Sequence, residues 1–463
     1  MTNRFYIAKK QIKLRPAQQI ALSFLFVILV GTVLLSMPFS TKVSGTSLLD
    51  HLFIATSAVC VTGLTPLVAV DTYTTFGQTV ILLLMQIGGL GLMTLIAIFL
   101  LAIGGKLAHR EKLVVAEATN IGSMSGLGNF LGFIIGYTLL FEFVGMILLS
   151  FVFVPEFGLS SGLFKALFIS VSAFCNAGFD NLGALSLQPY VSNIIVNLTV
   201  SSLIIMGGLG FSVWFDLTKS ANSILKQHHA VKRVVQHLQV HVKLVFFMTI
   251  VLILSGWLFL LVIEFNNPLS LGSLNFFDKI MAAYFQSVTL RTAGFSTLNI
   301  AVLYPASQLM MMAFMFIGGS PGGTAGGIKT TTFALVVLMV ISEILNRENL
   351  TLYKRTVNRD IARRALSVMV LSFTVVFTGM LLLTISEKAD FMVIAFEAFS
   401  AIGTVGLSMG ITPDLTNVGK IVIIFLMFIG RIGPVAVAFS LRTNRKFKKS
   451  VEVTYPTGQV IVG

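Results

Sequence analysis

An all-α integral membrane protein made of four similar units is the fold this sequence predicts, and three observations predict it. The chain of 463 residues is 56% hydrophobic and only 11% charged, with a mean hydropathy of +0.92. Its basic residues gather in five patches separated by long apolar stretches, and those stretches resemble one another.

The composition excludes a water-soluble domain, because a soluble particle of this size needs a larger polar skin than the chain can supply. The net charge of +14 would suit a nucleic-acid partner if it were concentrated on one face. It is not. Of 32 Lys and Arg, 24 fall in patches at 4–15, 106–112, 219–243, 347–364 and after Leu441. The positive-inside rule then puts all five patches, and both termini, in the cytoplasm. The charge is a topology signal whose natural partner is anionic membrane lipid, and nucleic acid is excluded. Cys60 and Cys175 lie in or beside apolar segments and read as small packing residues.

The repeat rests on four strings: CVTGL at 60–64, CNAGF at 175–179, RTAGF at 291–295 and GTVGL at 403–407. Their glycines, Gly63, Gly178, Gly294 and Gly406, are separated by 115, 116 and 112 residues. Ten positions earlier stands an aromatic residue (Phe53, Phe168, Tyr284, Phe396), and five earlier a small one (Ala58, Ala173, Thr289, Ala401). Serine stands six before in three copies (Ser57, Ser172, Ser400), with Val288 in the other. Downstream come IGG at 87–89, MGG at 206–208, IGG at 317–319 and IGR at 429–431. Matches at several offsets in four copies define an internal repeat.

Each unit has one layout. A long apolar run (17–39, 129–154, 244–265, 366–385) suffices to cross a hydrocarbon core of about 30 Å. A shorter segment of about 12 to 15 residues, too short to span, leads to the glycine string and suits a re-entrant helix. A second long run follows at 77–103, 192–215, 304–341 and 418–440. The predicted architecture is four helix–pore loop–helix repeats around a pseudo-fourfold central pore, with eight spanning helices. The expected divisions are a basic N-terminus at 1–16, repeats at 17–103, 129–217, 244–345 and 365–441, cytoplasmic links at 104–128, 218–243 and 346–364, and a tail at 442–463.

Backbone that leaves a helix at membrane depth must be buried in protein or line a watery path. Four such breaks can turn their carbonyl groups to a common axis, and a short helix ending there points its negative dipole end at it. Both favour a cation, as a ring of backbone carbonyls does in a potassium filter. The candidate filter is therefore Val61, Thr62, Gly63 and Leu64; Asn176, Ala177, Gly178 and Phe179; Thr292, Ala293, Gly294 and Phe295; and Thr404, Val405, Gly406 and Leu407. The carbonyls of Thr62, Asn176, Thr292 and Thr404 are the expected potassium ligands.

This layout, with its VTGL, NAGF, TAGF and TVGL strings, resembles the Trk, Ktr and HKT superfamily of potassium transporters over essentially the whole chain. The first run begins near residue 17, which resembles the Ktr membrane subunit more than the Trk one. The resemblance implies potassium as the carried ion, since glycine stands in all four copies, with no tightly bound cofactor and with sodium as an activator still open. It also implies a homodimer in the bacterial cytoplasmic membrane, and a separate cytoplasmic ring of regulatory subunits that binds ATP or ADP.

In the third repeat GGSPGGTAGGIKTTT places six glycines between 318 and 327. It is no phosphate loop: Ile328 separates Gly327 from Lys329, and the segment interrupts an apolar run rather than linking a strand to a helix. Gly318, Gly319, Ser320, Pro321, Gly322, Gly323, Thr324, Ala325, Gly326, Gly327 and Lys329 read as a gating loop below the filter, where the sibling repeats are expected to continue as helix. Arg431 stands where the other copies have Gly89, Gly208 and Gly319, and an arginine inside an apolar run faces the protein interior or a watery cavity. It reads as an electrostatic barrier beside the loop. Arg291 is a second buried-charge candidate, read first as a structural brace that caps helix carbonyls or pairs with Asp278, Glu264 or Glu397, with a direct part in conduction as the alternative. Asp180 either draws cations to the outer mouth or is simply solvated, and Glu142 and Glu397 need partners. No catalytic arrangement stands out, so an enzyme is not expected. A channel-like pore and a sodium- or proton-coupled symporter with the same filter both fit.

Overall fold

In a computed structural model the described residues are 16–102, 115, 127–227, 238–347 and 349–434. The expected N-terminal patch up to residue 15, the C-terminal tail, most of the link at 104–128 and the middle of the link at 218–243 lie outside them.

Among the described residues four helices are long and apolar enough to cross a membrane unaided: α1 (Pro16–Leu35), and the helices Leu127–Phe157, Val240–Glu264 and Arg359–Ser386. Each begins one predicted unit. Leu25, Phe26, Leu29 and Val33 of α1 lie exposed, as do Leu139, Leu140, Phe143 and Phe151 of the second helix. That much apolar surface suits lipid contact, not water. In chain order the intervening elements are α2 (Leu48–Cys60), α3 (Ala69–Thr72), α4 (Thr75–Leu90) and α5 (Leu92–Ala102). The second long helix is α6, followed by α7 (Leu159–Cys175), α8 (Ile194–Gly208) and α9 (Phe211–Gln227). The third is α10, followed by α11 (Phe276–Thr289), α12 (Pro305–Phe316) and α13 (Thr330–Ile344). A small hairpin, β1 (Leu350–Leu352) and β2 (Arg355–Val357), precedes α14, the fourth long helix. The chain then forms α15 (Phe391–Gly403) and α16 (Asn417–Ile432).

A glycine lets each long helix approach its own unit closely. A methyl group on Gly31 would lie 2.7 Å from Leu84 of α4, and one on Gly256 would lie 2.6 Å from the Ser287 hydroxyl of α11. On Gly379 it would meet Leu426 of α16 at 2.7 Å, and on Gly145 Leu203 of α8 at 2.6 Å. Small residues at helix contacts are how apolar helices pack without a hydrophobic gain over lipid.

The second run of each unit corrects the sequence reading. The siblings of the third repeat do not continue as helix. α4 stops at Leu90, α8 at Gly208 and α16 at Ile432, each just after its small-residue cluster. Gly91 (φ 80°), Gly210 (φ 97°) and Gly433 (φ 93°) follow, in a region that only glycine occupies freely. The helices α8 and α9 are bent by 94° across their break. The second runs of the first three units are therefore interrupted, the fourth ends its described helix at Ile432, and the third repeat differs in how long its interruption is, from Ile317 to Lys329.

Candidate site: a glycine ring above a glycine-rich loop

The short helices α2, α7 and α15 end alike. The residue after each, Val61 (φ 56°), Asn176 (φ 59°) or Thr404 (φ 51°), is left-handed, and Thr292 (φ 66°) takes that conformation in the third copy. The amides of Thr62, Ala177 and Val405 return to the carbonyls of Ser57, Ser172 and Ser400 at 2.7–2.8 Å, closing each helix as left-handed caps do. Only asparagine adopts this conformation readily. At valine or threonine it costs of order 1–3 kcal/mol, and such strain gathers at functional sites.

The glycines meet in a ring. A methyl group on Gly63 would stand 2.7 Å from Ala177 O and 3.1 Å from Gly178 Cα. On Gly178 it would stand 2.8 Å from Gly294 Cα and 2.9 Å from Ala293 O. On Gly294 it would stand 2.6 Å from Val405 O, and on Gly406 2.9 Å from Gly63 Cα and against Thr62 O. Each glycine thus touches the carbonyl preceding the next copy's glycine, and the cycle closes. The side chains of Leu64, Phe179, Phe295 and Leu407 are buried behind this backbone. Ser57 and Ser400 brace it by accepting hydrogen bonds from Gly63 N (3.0 Å) and Gly406 N (3.1 Å), whereas in the third copy Thr289 donates to Phe295 O at 2.6 Å.

The expected ligand set is out of step in the first copy. Asn176, Thr292 and Thr404 stand two before their glycines, and their counterpart is Val61, not Thr62. Thr62 matches Ala177, Ala293 and Val405, the residues whose carbonyls meet neighbouring glycines. Polarity of the side chain misled the reading; the backbone sets the register.

The loop 317–329 lies directly beneath. Ser320 N donates to Gly208 O (2.9 Å), Thr324 N to Gly207 O (3.2 Å) and Phe211 N to Gly322 O (2.9 Å), so the loop fills the break between α8 and α9. Gly318 N binds Ile328 O (2.8 Å), and the Ser320 and Thr330 hydroxyls are 3.0 Å apart. The Thr324 hydroxyl donates to Phe174 O at the end of α7 (3.0 Å). A methyl group on Gly326 would collide with the Thr404 side chain. Lys329 donates back to Ala325 O (2.7 Å). Arg431 donates to Thr324 O, Gly88 O and Gly89 O, the last at 3.3 Å, clasping the loop to the end of α4. Below lies a cavity of about 540 Å³ lined by Gly88, Gly89, Pro321, Gly323, Lys329 and Arg431.

The remaining candidates find mostly uncharged partners. Gln86 donates to Glu142 at 3.2 Å. Ser408 (2.8 Å) and Thr412 donate to Glu397. Asp180 accepts from Leu182 N (3.1 Å), which ties it to its own loop. Both cysteines are buried and free. The sequence reading missed an ion pair between Lys420 of α16 and Asp50 of α2 (2.7 Å). Both residues open their helices, and that shared position was the available signal.

A ring of strained backbone ends, with an arginine-clasped loop packed against it in a helical scaffold with lipid-suited faces, fits a multi-pass membrane transporter for cations. The chain belongs to the TrkH family, described as cation transport protein, which it matches over residues 7–449. It is 39% identical to the Ktr system potassium uptake protein B of Bacillus subtilis, covering 98% of each chain. It is 37% identical to the potassium/sodium uptake protein NtpJ of Enterococcus hirae, covering 99% of this chain and all of that one. The fold matches the crystal structure of the potassium transporter TrkH from Vibrio parahaemolyticus with a TM-score of 0.71 at 19% identity, over 94% of this chain and 86% of that one. The bacterial Ktr relatives put the protein in the cell membrane.

Proposed function

We propose that the protein takes up potassium through a channel-like pore on the axis of the glycine ring. Four pseudo-equivalent units supply eight membrane crossings, the second of each pair broken, with both termini cytoplasmic. The observation that carries this reading is the closed cycle in which Gly63, Gly178, Gly294 and Gly406 touch one another's preceding carbonyls. No side chain fits there, and four helix C-termini converge on the same place, so backbone oxygen and negative dipole ends are what an ion meets. Potassium is the ion named for the Bacillus relative, and sodium joins it in the name of the Enterococcus one.

The loop 318–329, held by Arg431, is the gate in this reading: it lies in the path below the ring and is fixed by hydrogen bonds that can be exchanged. A homodimer regulated by a separate cytoplasmic nucleotide-binding subunit fits a protein similar to the membrane component of a Ktr system. The test is potassium and sodium uptake by cells lacking their own potassium uptake systems. Gly63→Ser is expected to lower discrimination of potassium over sodium, and deletion of 318–327 to raise flux. Unchanged discrimination in the first refutes the filter, and unchanged flux in the second refutes the gate.

A further inference from the structure

Arg291 is the unexplained charge of the molecule. It stands three residues before Gly294, where the other copies have Cys60, Cys175 and Gly403. The side chain is 4% exposed, and its Nε and Nη1 have no hydrogen-bond partner among the described residues. The three acids within reach by sequence are otherwise engaged. Asp278 accepts from the Ser192 hydroxyl (2.8 Å). Glu264 is held by Asn267 (2.7 Å), Ser270 (2.7 Å) and Tyr304 N (2.8 Å). Glu397 is held by Ser408 and Thr412. Among the described residues no carboxylate lies within ion-pair distance of Arg291.

Its location is informative. A methyl group on Gly208 would have as its nearest neighbours the Asn176 side-chain amide at 3.3 Å, Ala325 Cβ at 4.0 Å and Arg291 Nη2 at 4.0 Å. The guanidinium therefore reaches the level between the ring and the gating loop, beside Asn176 of the second segment and Ala325 of the loop. A structural brace would be expected to use its donors, because a buried unpaired guanidinium is destabilising and an apolar residue of similar size would do better. Charges kept inside membrane proteins face ion paths.

We propose that Arg291 is a fixed positive charge at the inner end of the pore that keeps potassium from resting there, and so holds down the affinity of the inner ion site to allow exit. Conduction needs binding strong enough to enter and weak enough to leave, and a like charge in a poorly screened interior supplies the second requirement. This inference rests on the pore reading above and adds a specificity-determining residue to it.

The test uses the full chain reconstituted in lipid vesicles, with potassium flux measured against internal and external potassium. Arg291→Gln is expected to lower the potassium concentration giving half-maximal flux by roughly tenfold, with a lower maximal flux because exit is slowed. Arg291→Lys should restore the half-saturation. Arg291→His covers the case in which the glutamine variant does not fold. Its half-saturation should fall as pH rises through the imidazole range, relative to wild type at each pH. An unchanged half-saturation in Arg291→Gln, an equal shift in Arg291→Lys, or no pH dependence beyond wild type in Arg291→His overturns the proposal. Gly63→Ser is run beside them: unchanged ion discrimination there refutes the pore reading itself, whereas altered discrimination with a silent Arg291→Gln refutes this inference alone.

Discussion

The glycine ring and the layer just beneath it are built on opposite principles. In the ring all four units present a left-handed residue, a carbonyl and a glycine in the same order. One layer down the first two units agree, and the third and fourth depart from them and from each other. The position three before the glycine is Cys60, Cys175, Arg291 or Gly403, and the downstream clusters end in Gly89, Gly208, the loop at Gly319, or Arg431. In the proposed reading an ion is selected by equal oxygen positions on all sides, which is why the ring repeats. In the same reading passage is controlled by contacts that form once, for which a loop from one unit and an arginine from another suffice. In the proposed reading the gate is held to the helix ends by Ser320 N and Thr324 N on the end of α8, by the Thr324 hydroxyl on Phe174 O and by Gly326 packed against Thr404, contacts that a moving loop would have to exchange.

The largest effect should come from breaking the ring. Gly406→Ala puts a methyl group against Thr62 O and 2.9 Å from Gly63 Cα, at a φ of 92° that alanine avoids. Strain of about 3 kcal/mol or more is expected to cut potassium uptake by at least about a hundredfold, as read by rubidium uptake at matched protein abundance. Breaking the lower layer should do the reverse. Arg431→Gln removes the charge-assisted bonds to Thr324 O and Gly88 O, worth about 1.5–3 kcal/mol each. Flux through the unregulated protein is expected to rise by about tenfold, with discrimination of potassium over sodium unchanged. A fall in flux would mean that the arginine supports the pore rather than closing it.

Much of the ring was legible in the sequence, and the layer below much less so. Repetition made the ring visible: four glycines at nearly equal spacing expose a common backbone need. The register error at Thr62 arose because Val61, Asn176, Thr292 and Thr404 share a dihedral angle and not a side-chain type. The breaks after α4, α8 and α16 were hidden for a related reason. Gly91, Gly210 and Gly433 stand two or three residues after Gly89, Gly208 and Gly430 in apolar runs, and the letters do not say which glycine of each cluster leaves the helix, since Gly88, Gly207 and Gly430 stay helical and allow close backbone approach. The partners of Arg431 were half legible, the loop from the repeat comparison, the carbonyls of Gly88 and Gly89 not at all. Backbone acceptors carry no mark in the residue letters.

Between ring and solvent, Asp50 and Lys420 join the first unit to the fourth with side chains only 12% and 13% exposed. Asp50 also accepts from the Ser47 hydroxyl (2.8 Å) and closes a capping box at the start of α2. Asp50→Asn leaves the ammonium without its counter-charge and should destabilise the protein by about 1–2 kcal/mol, discounted for partial exposure. The thermal midpoint in detergent is expected to drop by a few degrees, and Lys420→Met should add little to it. Ion discrimination should stay unchanged, because this contact lies at the outer ends of the helices, away from the ring. Altered selectivity would show that the outer rim and the ring are mechanically one.

The smallest effect tests the ring's symmetry most finely. Ser57 and Ser400 each accept a hydrogen bond from the ring glycine six residues on, at 3.0 and 3.1 Å. Ser172 occupies the same place in the second unit, yet its buried hydroxyl has no partner among the described residues. Removing a neutral hydrogen bond of this kind costs about 1 kcal/mol, or about a fivefold change in an equilibrium. Ser57→Ala and Ser400→Ala should therefore each lower discrimination of potassium over sodium by a few-fold, while Ser172→Ala leaves it unchanged. Val288 already stands at this position in the third unit, so one segment tolerates the absence of the brace. Three equal losses would mean that the serines act through helix packing. A loss confined to Ser57 and Ser400 would mean that the first and fourth segments are pinned by their own helices, and that the second and third hold their shape through their neighbours in the ring.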